Sequence, residues 1–180
     1  DRVQTKILAS NAQCRDAAAD YIRQAMPDMH FLDAPALDGE ASQMAVHLAA
    51  QVISQRQHHA GKPYALVTGG ETTVTLDMND PGKGGRSQEL ALAFASAMTA
   101  AGSNAPKQWV ILAGGTDGRD GPTDAAGGII AASQDFDHAA ARAALLSHNS
   151  YDYLKAHDQL LMVGATGTNL ADLVLIVAQD

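Results

Sequence analysis

Three aspartates lie within eight residues of a glycine-rich loop, and this spacing is the strongest chemical signal in the sequence. The loop, residues 114–128, reads GGTDGRDGPTDAAGG and follows the apolar run WVILA. Its glycines allow sharp turns and a close approach to a ligand, and Asp117, Asp120 and Asp124 follow a predicted strand at the sheet edge where ligands bind. Carboxylates without neighbouring histidine or cysteine favour a hard cation such as Mg²⁺, commonly shared with a phosphate. The alternative is that these aspartates only form turns and caps.

A second glycine loop, GKGGRS at residues 82–87, precedes a predicted helix. Backbone N–H groups at a helix start favour an anion, and Arg86 adds a planar donor pair suited to phosphate or carboxylate. Lys83 supplies a further charge on a long side chain. An arginine at a helix start opposes the helix dipole, which argues against a plain solvated loop.

Two more polar glycine loops follow apolar runs, GGET at residues 69–72 and GATGTN at residues 164–169. Glu71 is a candidate for a cation ligand, for a group that orients another ligand, or for a cap on a backbone N–H. Thr168 and Asn169 can hydrogen-bond a polyol, a carboxylate or a phosphate, or they can form an ordinary turn.

These loops require a framework of alternating strands and helices, and the pattern predicts an α/β fold. We expect layered αβα packing around a mainly parallel or mixed sheet. The predicted strands are residues 3–9, 29–32, 64–68, 71–76, 109–113, 160–163 and 173–178. The predicted helices are residues 10–26, 40–57, 86–101, 124–132, 135–146 and 150–157, the first with its N-cap at Ser10 and Asn11.

Composition sets the class of protein. A chain of 180 residues with 46% hydrophobic and 18% charged residues fits one ordered domain, with or without a small appendage. The net charge of −8 argues against nucleic acid or an anionic membrane as the main partner. The single cysteine, Cys14, fits a reducing compartment, and with neither a leader nor a membrane span in the sequence we expect a cytoplasmic protein. Because the chain opens on Asp1, we expect it to be a piece of a longer protein.

Several familiar motifs are missing from the sequence. The loop at residues 82–87 is not a Walker A motif, because no Gly-Lys-Ser/Thr occurs, and it fails the GxGxxG pattern at Ser87. The lack of a dinucleotide fingerprint counts against a complete reductase. Covalent hydrolase chemistry is also disfavoured, because no GxSxG elbow or convincing Cys/His pair is present.

Five motifs in order resemble the carboxyl-terminal MOFRL domain of class II glycerate 2-kinases, a family in which many proteins carry a hydroxypyruvate reductase name. The resemblance covers residues 65–180, and residues 1–64 look like a βαβα lead-in segment of the same domain. The family's amino-terminal nucleotide-binding domain is expected to be absent from this chain. The motifs are GGETTVT, GKGGRSQELALA, AGGTDGRDGPTDAAG, NSYDYL and GATGTNLADLVLIV. Ser87 stands where the family commonly has asparagine, and residues 77–81 are expected to lengthen a surface loop.

The resemblance implies an ATP- and Mg²⁺-dependent kinase that phosphorylates D-glycerate to 2-phosphoglycerate in a cleft between two domains. Carried over by motif, the catalytic candidates are Arg86 and Asp117. The substrate-binding candidates are Glu71, Lys83, Thr168 and Asn169, and the metal candidates are Asp120 and Asp124.

Two alternatives remain at this point. One is an NAD(P)H-dependent hydroxypyruvate reductase, and the other is a non-catalytic module for substrate binding or dimerisation. The expected partners are a small hydroxy acid, ATP and the missing amino-terminal domain, and a homodimer is left open. The isolated fragment is expected to be inactive.

Overall fold

A computed structural model describes residues 3–4, 6–59, 61–76 and 82–180. Within these ranges the chain forms one six-stranded sheet and five α-helices. The predicted lengthening of the surface loop by residues 77–81 lies outside the described residues. The helices are α1 (Asn11–Ala25), α2 (Ala41–Gln55), α3 (Arg86–Ala100), α4 (His138–Leu146) and α5 (Ser150–Ala156). The strands are β1 (His30–Leu32), β2 (Tyr64–Gly70), β3 (Gln108–Gly115), β4 (Gly127–Ala131), β5 (Leu160–Leu161) and β6 (Asp172–Gln179).

The sheet is mixed, which confirms the predicted α/β class. Its strand order is β1-β2-β6-β3-β4-β5, and only β1 and β2 pair in parallel. β6 lies between β2 and β3 and is antiparallel to both. Since β2 and β3 therefore run in the same direction, their carboxyl ends and the start of β6 share one edge of the sheet.

Helices cover both faces of this sheet. On one face α3 packs against β3 and β4, and its Leu90, Leu92 and Phe94 are almost fully buried between the sheet and helices α2, α4 and α5. On the other face α1 contacts β2. Ala65 is fully buried there and, by strand alternation, points away from Tyr64 and Leu66. None of the helices in the described ranges is long and apolar enough to cross a membrane.

Several predicted elements are confirmed. Helix α1 begins after Ser10, whose side chain accepts a hydrogen bond from the Gln13 N–H, as expected for an N-cap. Helices α2, α3, α4 and α5 and strands β1, β2, β3, β5 and β6 lie where the sequence pattern places them, with bounds that differ by a few residues.

Three predicted elements are wrong. The described part of residues 3–9 has no strand, and Val3, Ile7 and Leu8 are exposed because no neighbouring strand pairs with them. Residues 71–76 form a single bridge, between Glu40 and Thr73, in place of a strand. Polar and apolar residues do alternate at positions 71–76, but the chain has already left the sheet at the end of β2.

The predicted helix at residues 124–132 is instead strand β4. It pairs antiparallel with β3 from Gly114↔Gly127 to Val110↔Ala131. Gly127 has to be glycine because an added Cβ would overlap the carbonyl of Ala113. The alanines of this stretch favour a helix locally, and pairing with a buried strand overrides that preference.

Candidate active site

A cleft of about 860 Å³ opens at the shared edge of β2, β3 and β6. Its walls come from the loop before α3, from the aspartate loop after β3, and from residues 72–76. The ionisable groups along it are Arg86, Glu89, Asp117, Arg119, Asp120 and His148. The sheet topology therefore brings the second glycine loop and the aspartate loop together, although residues 88–113, which include most of α3 and β3, separate them in the sequence.

Arg86, the first residue of α3, is held in place by two carboxylates. Its Nε donates to Asp172 Oδ2 at 2.6 Å and its Nη2 donates to Asp172 Oδ1 at 3.2 Å, while Nη1 donates to Glu71. The Asp172 side chain is 3% exposed, and Asp172 is paired with both Gly70 and Gly115 in the sheet. Burial raises the pKa of Asp172 and Arg86 opposes that rise. This bidentate pair explains how a cation is tolerated at a helix start.

Asp120 caps helix α3 from the aspartate loop. Its Oδ1 accepts from the Ser87 N–H at 3.1 Å and its Oδ2 from the Gln88 N–H at 2.8 Å. Gly85 leaves room for this carboxyl group, which an added Cβ would overlap. Burial raises the pKa of Asp120 to about 6, and the two backbone hydrogen bonds offset part of that effect. The anion site predicted at this helix start is therefore filled by the protein's own carboxylate.

Asp117 lies in a turn that several hydrogen bonds hold in place. Its Oδ1 accepts from the Arg119 N–H at 2.9 Å, and its backbone carbonyl accepts from the Thr166 N–H at 3.2 Å. Thr116 donates through its hydroxyl to the Ala171 carbonyl at 2.8 Å. The loop before β6 thus braces the aspartate loop, and Asp117 faces the cleft half-buried.

Glu89 and His148 form a second ionisable pair in the cleft wall. His148 Nδ1 lies 2.8 Å from Glu89 Oε2, and the Glu89 side chain is only 4% exposed. Burial raises the pKa of Glu89, while the hydrogen bond and charge of His148 lower it. His148 has a backbone φ of 51°, an uncommon conformation for a residue other than glycine.

Comparison with known proteins identifies the family of this chain. The MOFRL family model matches residues 64–172, which is more than half of the chain. The chain belongs to the MOFRL family.

Relatives of this MOFRL chain carry kinase and reductase names. A Pyrococcus horikoshii protein named "Glycerate 2-kinase" is 35% identical over 184 residues, covering 97% of this chain and 39% of that protein. An Agrobacterium vitis protein named "Putative hydroxypyruvate reductase" is 37% identical over 148 residues, covering 79% of this chain and 33% of that protein. The crystal structure of Thermotoga maritima glycerate kinase superposes with a TM-score of 0.81 at 30% identity, over 99% of this chain and 42% of that one. The chain thus spans about two fifths of the length of such relatives.

Some predicted site residues of this MOFRL chain lie outside the main cleft. Lys83 places its Nζ 3.7 Å from the ring centroid of Tyr151, and the Tyr151 hydroxyl donates to Asp124 at 2.6 Å. Asp124 lines a separate cleft of about 530 Å³. Thr168 and Asn169 are exposed, and the Asn169 side chain accepts from the Ala171 N–H at 3.1 Å.

The structure therefore brings Arg86, Asp117 and Asp120 together, with Glu71 joined to them through Arg86. In the described part of the MOFRL chain, no group of three or more histidine, cysteine, aspartate or glutamate side chains has metal-binding geometry. Sequence reasoning missed Asp172, Glu89, Arg119 and His148. Of these, only Glu89 carried a usable signal, since it follows Arg86 by three positions on one helix face.

Proposed function

We propose that this chain is the MOFRL part of an ATP-dependent glycerate 2-kinase, which converts D-glycerate to 2-phosphoglycerate. The observation that carries the proposal is the cleft in which Asp172 and Glu71 orient Arg86 beside Asp117. The likeness to proteins named as glycerate kinases supports the choice of substrate. Phosphoryl transfer depends mainly on positioning and on charge stabilisation, which fixed guanidinium and carboxylate groups supply.

Arg86 and Arg119 are the proposed anion-binding groups. Three of the five N–H groups of Arg86 donate to Asp172 and Glu71, which leaves two for a substrate carboxylate or phosphate. Arg119 is exposed, lines the same cleft and forms no ion pair within the described residues. Because Asp120 already accepts the Ser87 and Gln88 N–H groups at the start of α3, a substrate anion would bind these guanidinium groups rather than those N–H groups.

The donor set is compatible with Mg²⁺ carried mainly by nucleotide phosphates. Glu89, Asp117 and Asp120 contribute three carboxylates to the cleft against two guanidinium groups, so an unaccompanied polyphosphate would be repelled. Mg²⁺ keeps few protein ligands and supplies neutralisation of phosphate charge. We propose Asp117 as its contact on this chain.

The remaining site assignments stay predictions. Metal ligation by Asp120 and Asp124 competes with the hydrogen bonds that these carboxylates accept from helix α3 and from Tyr151. Lys83, Thr168 and Asn169 would reach substrate only if it extended beyond the main cleft.

The nucleotide site is proposed to lie on a further domain that closes over this cleft. The supporting observation is that the Pyrococcus relative aligns over only 39% of its length. Residues 1–64 are proposed to belong to the same domain as residues 65–180, because β1 pairs with β2 in one sheet. A homodimer and a cytoplasmic location stay predictions.

The test is an assay of the full protein, and of this chain alone, with ATP, Mg²⁺ and D-glycerate. We expect ADP release and formation of 2-phosphoglycerate by the full protein only, with the product identified by NMR. Consumption of NADH with hydroxypyruvate, in the absence of ADP release, would support the reductase instead. Unchanged turnover with altered assembly in Asp117→Asn would support the non-catalytic module.

A further inference from the structure

We propose that His148 accepts the proton of the substrate hydroxyl during phosphoryl transfer and that Glu89 positions its ring. The inference rests on the proposed kinase function and adds two residues that neither motif nor family likeness assigned. It follows from the placement of a buried carboxylate and a histidine in the wall of the cleft that contains Arg86.

The geometry matches that of an oriented base. Glu89 lies three residues after Arg86 on α3, so both side chains project from the same helix face toward the cleft. With Glu89 ionised, the 2.8 Å contact to Nδ1 fixes the N–H on that atom. Nε2 then carries the lone pair, and the ring, 26% exposed, borders the cleft.

A purely structural role accounts poorly for this pair. Burying a carboxylate costs free energy that an apolar residue at position 89 would avoid, and the neighbouring Leu90 and Ala91 are already buried. His148 also holds a left-handed backbone, and such conformations are concentrated at functional sites. Gly82 approaches so closely that an added Cβ would overlap the backbone at residues 147–149, so this turn is held in place by the loop that precedes α3.

The charges around His148 come from three parts of the fold. Glu89 and Arg86 belong to α3, and Asp117, Arg119 and Asp120 belong to the aspartate loop. Glu40, which precedes α2, lies near enough for His148 to lower its pKa, although its hydrogen bond from Thr75 is the larger cause. This excess of carboxylates would stabilise the positive charge that develops on the ring during proton transfer.

The proposed step balances as follows. The proton of the glycerate 2-hydroxyl passes to His148 Nε2 as the hydroxyl oxygen forms a bond to the γ-phosphorus of the nucleoside triphosphate. The bond from that phosphorus to the β,γ-bridging oxygen breaks, and the nucleoside diphosphate leaves with the electron pair. The imidazolium then releases its proton to solvent.

The test uses His148→Gly in the full protein, because glycine accepts the left-handed backbone and leaves space for a small ring. We expect kcat to fall by roughly 10²- to 10⁴-fold, with little change in KM for D-glycerate. Added imidazole should restore turnover, whereas pyrazole, a ring of the same size and a much weaker base, should not. Glu89→Gln should lower kcat with the same unchanged KM.

Asp158→Gly is the matched control, since Asp158 is an exposed residue with φ of 55° that lies outside the cleft. Its turnover should equal that of the wild type. Near-normal turnover of a folded His148→Gly variant, or equal rescue by pyrazole, would overturn the inference and leave the kinase standing. A wild-type protein that forms no 2-phosphoglycerate would overturn the proposed function, and this inference with it.

Discussion

Arg86 has two roles at once, because the side chain that faces the cleft also neutralises a buried carboxylate. Removing it entirely would leave Asp172 unpaired, so loss of activity in Arg86→Ala would be mixed with loss of fold. A lysine keeps the charge but cannot form the bidentate pair. The conservative substitution therefore separates the two roles better than alanine does.

We expect Arg86→Lys to lower the free energy of unfolding by about 1–3 kcal/mol and to reduce turnover of the full protein by at least tenfold. The first effect reflects lost hydrogen bonds to Asp172, and the second reflects the lost planar donor pair. Urea unfolding and the coupled assay measure them separately. Arg142→Lys, on the exposed side of α4, is the control and should change neither quantity.

The cap formed by Asp120 predicts an unusual dependence of stability on pH. Its folded pKa of about 6 lies above the ordinary value of 3.8. The folded state therefore binds this proton more tightly, and the resulting stability is full below pH 3.8 and lost as the pH rises through 6. Relative to Asp120→Asn, the wild type should lose about 3 kcal/mol between pH 3.5 and pH 7.5.

Asp124 provides a control, because its contribution to stability should change with pH in the opposite direction. The hydrogen bond from Tyr151 lowers the pKa of Asp124, so its contribution is present above the ordinary pKa and is lost as the pH falls. Unfolding of Asp120→Asn and Asp124→Asn, each compared with the wild type and followed by fluorescence across that pH range, measures both effects. A flat difference between wild type and Asp120→Asn would show that Asp120 is not buried as described.

The sequence pattern predicted where the aspartate loop lies but could not predict the partners of its three aspartates. Glycine spacing placed Asp117, Asp120 and Asp124 after a strand, and the structure confirms that position. Which carboxylate caps a helix, which meets Tyr151 and which faces the cleft depends on α3 and α5, both far away in sequence. The pattern of one loop contains no information on such partners.

At the scale of elements, glycine is needed before α3 because a neighbouring group packs too closely for a side chain, and not because the backbone has to be flexible there. Gly85 has extended backbone that any residue can adopt, with φ of −154°, yet no space for a Cβ beside Asp120. We expect Gly85→Ala to displace Asp120, to lower the free energy of unfolding by about 1–3 kcal/mol, and to reduce turnover.

Gly167→Ala provides the comparison, because Gly167 has a φ of 75° and open space around it. That variant should lose about 1 kcal/mol through backbone strain and retain the cap on α3. Denaturant unfolding together with a crystal structure of Gly85→Ala tests the distinction. An Asp120 that remains bonded to Ser87 and Gln88 in that variant would contradict it.

The wrong predictions for residues 71–76 and 124–132 have one physical cause. Residues 71–76 alternate like a strand and residues 124–132 are rich in alanine, but pairing partners decide both. β3 offers an unpaired edge to β4, whereas β2 has already been paired by β1 and β6. Helices with clear caps, such as α1 after Ser10, needed no such information and were predicted correctly.

At the scale of the whole molecule, we expect the centre of the sheet to be the part most resistant to amide hydrogen exchange. β2, β6 and β3 each have hydrogen-bonded neighbours on both sides, while β1 and β5 lie at the edges. We expect the slowest amide hydrogen exchange in β3 and β6 and rapid exchange at residues 6–9. Mass spectrometry after deuterium labelling measures this, and protected amides at residues 6–9 would show that the exposed Ile7 and Leu8 are covered in solution.

The central position of β6 also bears on biosynthesis. Translation delivers β2 and β3 first, and the strand that joins them emerges only after β4, α4, α5 and β5. At ordinary elongation rates this interval is on the order of seconds. During that time two apolar strands present open edges on the ribosome, and Arg86 lacks Asp172. The nascent chain therefore cannot complete its sheet or its cleft before the last strand leaves the exit tunnel, and it is a candidate substrate for nascent-chain chaperones until then.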